Sequence, residues 1–136
     1  HLQKLSDAGF TLSLDDFGTG FSSLSLVHEL PFDEIKIDIS FVRRIKTPEG
    51  KVLVRTIVDM GHAMKLVLVA EGVEDRETAD ILQEMGVEML QGYYFSRPMS
   101  QEECTSFIVG LSAMGAQPRV CSGISGTPCS PVLPIA

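Results

Sequence analysis

Three short segments carry the residue types that could do chemistry: Asp15-Asp16-Phe17-Gly18-Thr19-Gly20, Ile35-Lys36-Ile37-Asp38 and Ala70-Glu71-Gly72-Val73-Glu74. Each lies where an apolar, strand-like run stops. Paired carboxylates are hard oxygen ligands suited to Mg²⁺ or Mn²⁺, and adjacent ones can serve two ions a few ångströms apart. A lysine nearby and a glycine-rich turn after the first pair suit a ligand that carries phosphate.

Each of these residues also has a structural alternative. An Asp pair before Gly18 can form a turn or cap a helix. Gly18-Thr19-Gly20 lacks the spacing of a P-loop or a dinucleotide fingerprint, and taken alone reads as a flexible loop. Lys36 on the inward side of a strand is costly without a carboxylate or phosphate beside it, so pairing with Asp38 or Asp15 competes with catalysis as its role. Glu71 follows five apolar residues, which argues against a solvated position and for binding metal or activating water. Glu74 reads as a cap for the helix that follows. Gln91 either bonds a ligand or satisfies backbone groups at the rim. Met60, Met64 and Met85 read as core filling.

Alternating strands and helices must position these groups. The pattern predicts a helix over 2–9 stopped by Gly9, a strand over 10–15, a short helix over 23–30 stopped by Pro31 and a strand over 34–39. It continues with a helix over 49–64 (apolar stripe Leu53, Ile57, Met60, Met64), a strand over 66–70, a helix over 75–85, a strand over 88–91 and a helix over 101–111. Side chains two apart share a face of a strand. Ser13 and Asp15, Lys36 and Asp38, Val69 and Glu71, and Met89 and Gln91 can therefore all point to one side, with a polar group towards each C-terminal end. That edge is where parallel α/β folds bind ligands. Strands separated by helices imply parallel, right-handed βαβ units. From Ser112 the chain is rich in Ser, Gly and Pro without a period, and a disordered tail over 112–136 is expected.

The whole chain sets bounds. Its 136 residues fit one domain, and 44% hydrophobic composition suffices for a packed core. A formal charge of −7 argues against a broad nucleic-acid surface but not against a small phosphorylated ligand recruited through cations. No apolar run approaches the ~20 residues that span a bilayer. The chain opens on His1 in mid-pattern with no signal peptide, so a piece of something longer is expected. Cys104, Cys121 and Cys129 are too scattered for a disulfide framework or zinc site, pointing to a reducing compartment.

Asp15-Asp16-Phe17-Gly18-Thr19-Gly20-Phe21-Ser22-Ser23, Lys36-Ile37-Asp38-Ile39-Ser40-Phe41-Val42, Ala70-Glu71-Gly72-Val73-Glu74, Gln91-Gly92-Tyr93-Tyr94-Phe95 and Arg97-Pro98, in this order, resemble the EAL-domain phosphodiesterases over roughly residues 2–111. The resemblance implies a modified (βα)₈ TIM-type barrel that hydrolyses cyclic di-GMP to linear pGpG with Mg²⁺ or Mn²⁺, two ions in the complete domain. By the same resemblance Asp15 and Asp16 are metal ligands, Lys36 contacts the attacking water and the phosphate, and Glu71 acts on that water. Gln91 and Asp38 are then substrate-binding, and Phe17, Gly18, Thr19, Gly20, Phe21, Ser22 and Ser23 form a mobile loop that couples metal binding to dimer contacts. Phe21 stands where Tyr is more usual.

The resemblance further implies a homodimer, a cytoplasmic domain whose parent can be membrane-anchored, and attached sensory or diguanylate cyclase domains. No nucleic-acid polymer is expected as a partner. The family's Glu-Ala-Leu signature, and its Asn and Glu metal ligands, are missing from the sequence. A whole barrel takes ~250 residues, so residues 1–111 would be the C-terminal half of the domain, expected to bind metal weakly and to be inactive alone. The alternative is a non-enzymatic cyclic di-GMP receptor or regulatory module. Such degenerate receptors usually lose acidic ligands, whereas Asp15, Asp16, Lys36 and Glu71 are all present.

Overall fold

The computed structural model describes residues 1–18, 27 and 29–113, the last three through their backbone alone. Its elements are α1 (Leu2–Asp7), β1 (Ser13–Phe17), β2 (Glu34–Ile37), α2 (Ile39–Val42), α3 (Pro48–Ala63), β3 (Val67–Ala70), α4 (Arg76–Glu84), β4 (Met89–Leu90) and α5 (Gln101–Ala113). The strands form one parallel sheet in the order β1-β2-β3-β4. This is the expected succession of βα units, and it is half the strand complement of an eight-stranded barrel. The chain divides into two compact units, His1–Tyr94, which holds the sheet, and Phe95–Ala136, which holds α5. Most of the helix expected over 23–30, and the expected tail from residue 114 on, lie outside the described residues. No helix among the described residues is long and apolar enough to cross a membrane.

Alternation along β2 sets the two faces of the sheet. Ile35 and Ile37 are fully buried, while Glu34 and Lys36 between them are only partly so. Leu68 and Ala70 of β3 pair with those isoleucines and join Val42, Ile45, Val54, Val58, Val73 and Leu82 in the core. Burying each of the larger side chains contributes about 1.5–3 kcal/mol.

Helix α3 packs against β2 and β3. It starts at Thr47, whose side chain accepts from Gly50 N, with Pro48 in the first turn. Its buried stripe runs through Val54, Ile57, Val58 and Gly61. The expected stripe through Leu53 is therefore rotated, and Leu53 is exposed. Gly61 explains the rotation: a Cβ there would lie 2.6 Å from Leu68 Cδ2, so the helix approaches β3 along its glycine face.

Two caps depart from the sequence reading. The strand expected over 34–39 stops at Ile37, because Asp38 Oδ1 accepts from Ser40 N at 2.9 Å and opens α2, a turn the alternation did not reveal. Asp75, not Glu74, caps α4, accepting from Thr78 N at 2.9 Å. Glu74 instead pairs with Arg43 at 3.1 Å.

Beyond β3 and β4 the two strand ends stay joined. Val73 N donates to the Gln91 carbonyl at 3.0 Å, and Tyr94 N donates to the Val73 carbonyl at 3.0 Å. Gly92 sits against this crossing, where a Cβ would fall 2.1 Å from the Val73 oxygen. Gly92→Ala is therefore expected to destabilise the fold by about 1–3 kcal/mol. Urea denaturation checks this, and an unchanged midpoint would show that the crossing is looser than described.

Candidate active site

Strand β1 pairs with β2 through Ser13↔Glu34 and Leu14↔Ile35, and then through Phe17↔Ile37. Three steps along β1 thus match two along β2, which is a β-bulge. Asp16 lies within it at φ 51°, a left-handed conformation that Asp tolerates better than most residues. In a regular strand Asp15 and Asp16 would point to opposite faces. The bulge cancels that opposition. One oxygen each from Asp15, Asp16 and Glu71 lie within 4.8 Å of one another. Phe17, which plain alternation would put beside Asp15, is buried instead.

Lys36 connects the ends of the strands on either side of it. Its Nζ lies 3.2 Å from Asp15 Oδ1 and pairs more closely with Glu71 Oε1. The Lys36 and Glu71 side chains are 24% and 22% exposed, against 64% for Asp15. Asp15 Oδ1 also accepts from Asp16 N at 3.1 Å. The Glu71 carboxylate holds the Lys36 ammonium above its ordinary pKa, burial opposes this, and Asp15 adds to the rise.

The backbone fixes Glu71 from below. Its N–H donates to the Ile37 carbonyl at 3.2 Å. At Gly72 the chain turns at φ 70°, so close to α2 that a Cβ would lie 2.2 Å from Ile39 Cγ1. Asp38 serves this packing by capping α2, and hydrogen bonds from the Ser40 side chain and backbone hold its carboxyl below the ordinary value.

Asp15, Asp16, Lys36 and Glu71 are thus brought together. Gln91 follows β4, its N–H donating to the Ala70 carbonyl at 2.8 Å and its side chain exposed. Gly18 lies under the ring of Phe41, while Thr19, Gly20, Phe21, Ser22 and Ser23 lie outside the described residues. The pairs Arg43–Glu74, Lys46–Asp75 (3.0 Å) and Lys46–Glu77 (2.9 Å), which no sequence pattern foretells, tie the segment around α2 to the start of α4. Pairs so far apart in the chain leave no periodic signal, and exposed ones add little to stability.

Chemically, the cluster is a set of hard oxygens with three negative charges against one ammonium. That donor set fits Mg²⁺ or Mn²⁺.

A family model described as EAL domain matches residues 1–98. The oxygen sensor protein DosP of Escherichia coli K12 is 48% identical over 103 residues, 75% of this chain and 13% of that protein. The cyclic di-GMP phosphodiesterase RocR of Pseudomonas aeruginosa is 39% identical over 111 residues, 81% of this chain and 28% of that protein. The chain therefore spans under a third of these relatives. Among solved structures, the EAL enzyme Bd1971 in its cAMP-bound form superposes with a TM-score of 0.77 at 39% identity, over 79% of this chain and 29% of that one. A manganese and cyclic di-GMP complex of Klebsiella pneumoniae BlrP1 superposes with a TM-score of 0.66 at 40% identity, over 71% of this chain and 25% of that one.

Asp16→Gly removes a carboxylate but suits the backbone, so stability should stay within about 1 kcal/mol of the parent while Mn²⁺ binding weakens. Thermal denaturation beside a Mn²⁺ titration separates the two effects. The raised pKa of Lys36 gives a definite sign with pH. The stability from its pairing is fully present below the ordinary value of 10.5 and is lost as pH rises through the elevated one. Relative to Lys36→Met, the parent's denaturation midpoint should hold level below about pH 10 and fall more steeply as pH rises past 10.5.

Proposed function

The chain belongs to the EAL domain family, and on that footing we propose that its carboxylate rim is part of a divalent-metal site that hydrolyses cyclic di-GMP to linear pGpG. The observation that supports this best is the bulge-enforced gathering of Asp15, Asp16 and Glu71 around the Lys36 ammonium. Asp15 and Asp16 would hold Mg²⁺ or Mn²⁺, two ions in a complete barrel. When bound, such ions lower the pKa of coordinated water and offset phosphate charge.

The chain's own groups divide the remaining work. Lys36 presents its ammonium to a phosphate oxygen and stabilises the extra negative charge that develops when water attacks. Glu71, half-buried and fixed at its strand end, orients that water and takes its proton. Asp38 follows β2 and Gln91 follows β4, on either side of the Glu71 strand, and both serve substrate binding, Asp38 in addition to its cap. Phe17 closes β1 in the core, so a coupling of metal binding to a homodimer contact would start at Gly18, against Phe41. Sensory or cyclase domains attached to the barrel would set its output.

Turnover on this reading requires a whole eight-stranded barrel, because four strands bring only part of a two-metal ligand set. The 136-residue chain with Mn²⁺ should release no pGpG. A protein carrying these residues within a full barrel should release it, and Asp15→Ala there should lower the rate by roughly 10³-fold or more. Undiminished turnover in Asp15→Ala refutes the metal assignment. Tight binding of cyclic di-GMP by the full barrel without any pGpG would favour a receptor instead.

A further inference from the structure

Lys36 engages carboxylates that a divalent ion would draw on. Its ammonium is bonded to Glu71 and to Asp15, two of the three carboxylates in the cluster. An ammonium is a three-proton donor without acceptor capacity, so each oxygen it engages has less lone-pair density left for a metal. The donor oxygens of one Mg²⁺ lie no more than about 4 Å apart. Those of Asp15, Asp16 and Glu71 are already within 4.8 Å. The carboxylates therefore need to draw in only slightly, into the region that the ammonium now bridges.

Two opposed electrostatic effects meet at this point. Without a metal, three carboxylates so close together repel one another, and the Lys36 charge is what offsets that repulsion. With a metal, the same charge beside a dication is unfavourable. Both partners of the tighter pair are mostly shielded from water, so salt screens that repulsion poorly.

We propose that Lys36 is the resident counter-cation of this rim: it holds Asp15 and Glu71 in place while no metal is bound, and an incoming divalent ion displaces its ammonium towards the phosphate-binding side. The inference rests on the metal-site reading above and extends it. Metal binding and phosphate binding become linked through one side chain, since the ion frees the group that then pairs with phosphate.

The test is a Mn²⁺ titration of the 136-residue chain, followed by the electron paramagnetic resonance of the free ion. Lys36→Met should bind Mn²⁺ about tenfold more tightly than the parent, while its metal-free form melts at a lower temperature. Equal or weaker binding by Lys36→Met overturns the proposal. Asp15→Asn and Asp16→Asn should each lose affinity. If they lose it and Lys36→Met gains none, the displacement alone is wrong; if they bind like the parent, the metal-site reading fails and takes the displacement with it. Should Lys36→Met not fold, the lysine ¹⁵Nζ resonances of the parent decide. Saturating Mg²⁺ should shift the Lys36 ammonium signal, and a signal unmoved at saturation is the contrary result.

Discussion

One inserted residue in β1 decides whether two adjacent aspartates can act together. Period-two alternation sends neighbouring side chains to opposite faces of a sheet, so a regular strand would leave Asp15 and Asp16 separated by the backbone. The register shift between Leu14 and Phe17, with Asp16 in the left-handed region, removes that separation and still returns Phe17 to the core. A bulge leaves a residue outside the regular ladder, and Asp16 carries some backbone strain as well. The strain lies where the carboxylates gather, as expected when function rather than folding selects a conformation.

The rim and the core place opposite demands on the same strands. The face with Ile35, Ile37 and Leu68 excludes water and stabilises the fold, while the strand ends collect charges that repel. Lys36 reconciles the two. It issues from the side of β2 opposite the buried isoleucines and reaches carboxylates on both neighbouring strands. The contacts behind Glu71 make that arrangement stiff. Gly72 against Ile39, and Gly92 against Val73, leave no room for side chains that would let the loops drift. Sites that depend on close geometry are commonly supported by such tightly packed neighbours.

Much of this was legible in the chain, for identifiable reasons. The run before Glu71 is apolar throughout, so β3 and the position of that carboxylate at its end followed from pattern alone. Lys36, between two isoleucines, could only face away from the core. The bulge was not legible, because nothing in Leu14-Asp15-Asp16-Phe17 distinguishes an irregular strand from a regular one; alternation brought Asp15 to the rim but not Asp16. The end of β2 is hidden for a related reason. Ile39 continues the apolar alternation, and only the Asp38–Ser40 hydrogen bond, a local side-chain effect, turns the backbone. The true stripe on α3 is hidden because a glycine that permits close approach carries no hydrophobic signal of its own.

The most direct test of the central claim, that Asp15, Asp16, Lys36 and Glu71 form one cation-holding rim, is paramagnetic broadening of backbone amide resonances by substoichiometric Mn²⁺. The account predicts the strongest broadening at Asp15, Asp16, Lys36 and Glu71, weaker effects at Leu90 and Gln91, and little along α3. Broadening centred instead on the exposed acids near Glu74, Asp75 and Glu77, with the four rim residues untouched, would contradict it.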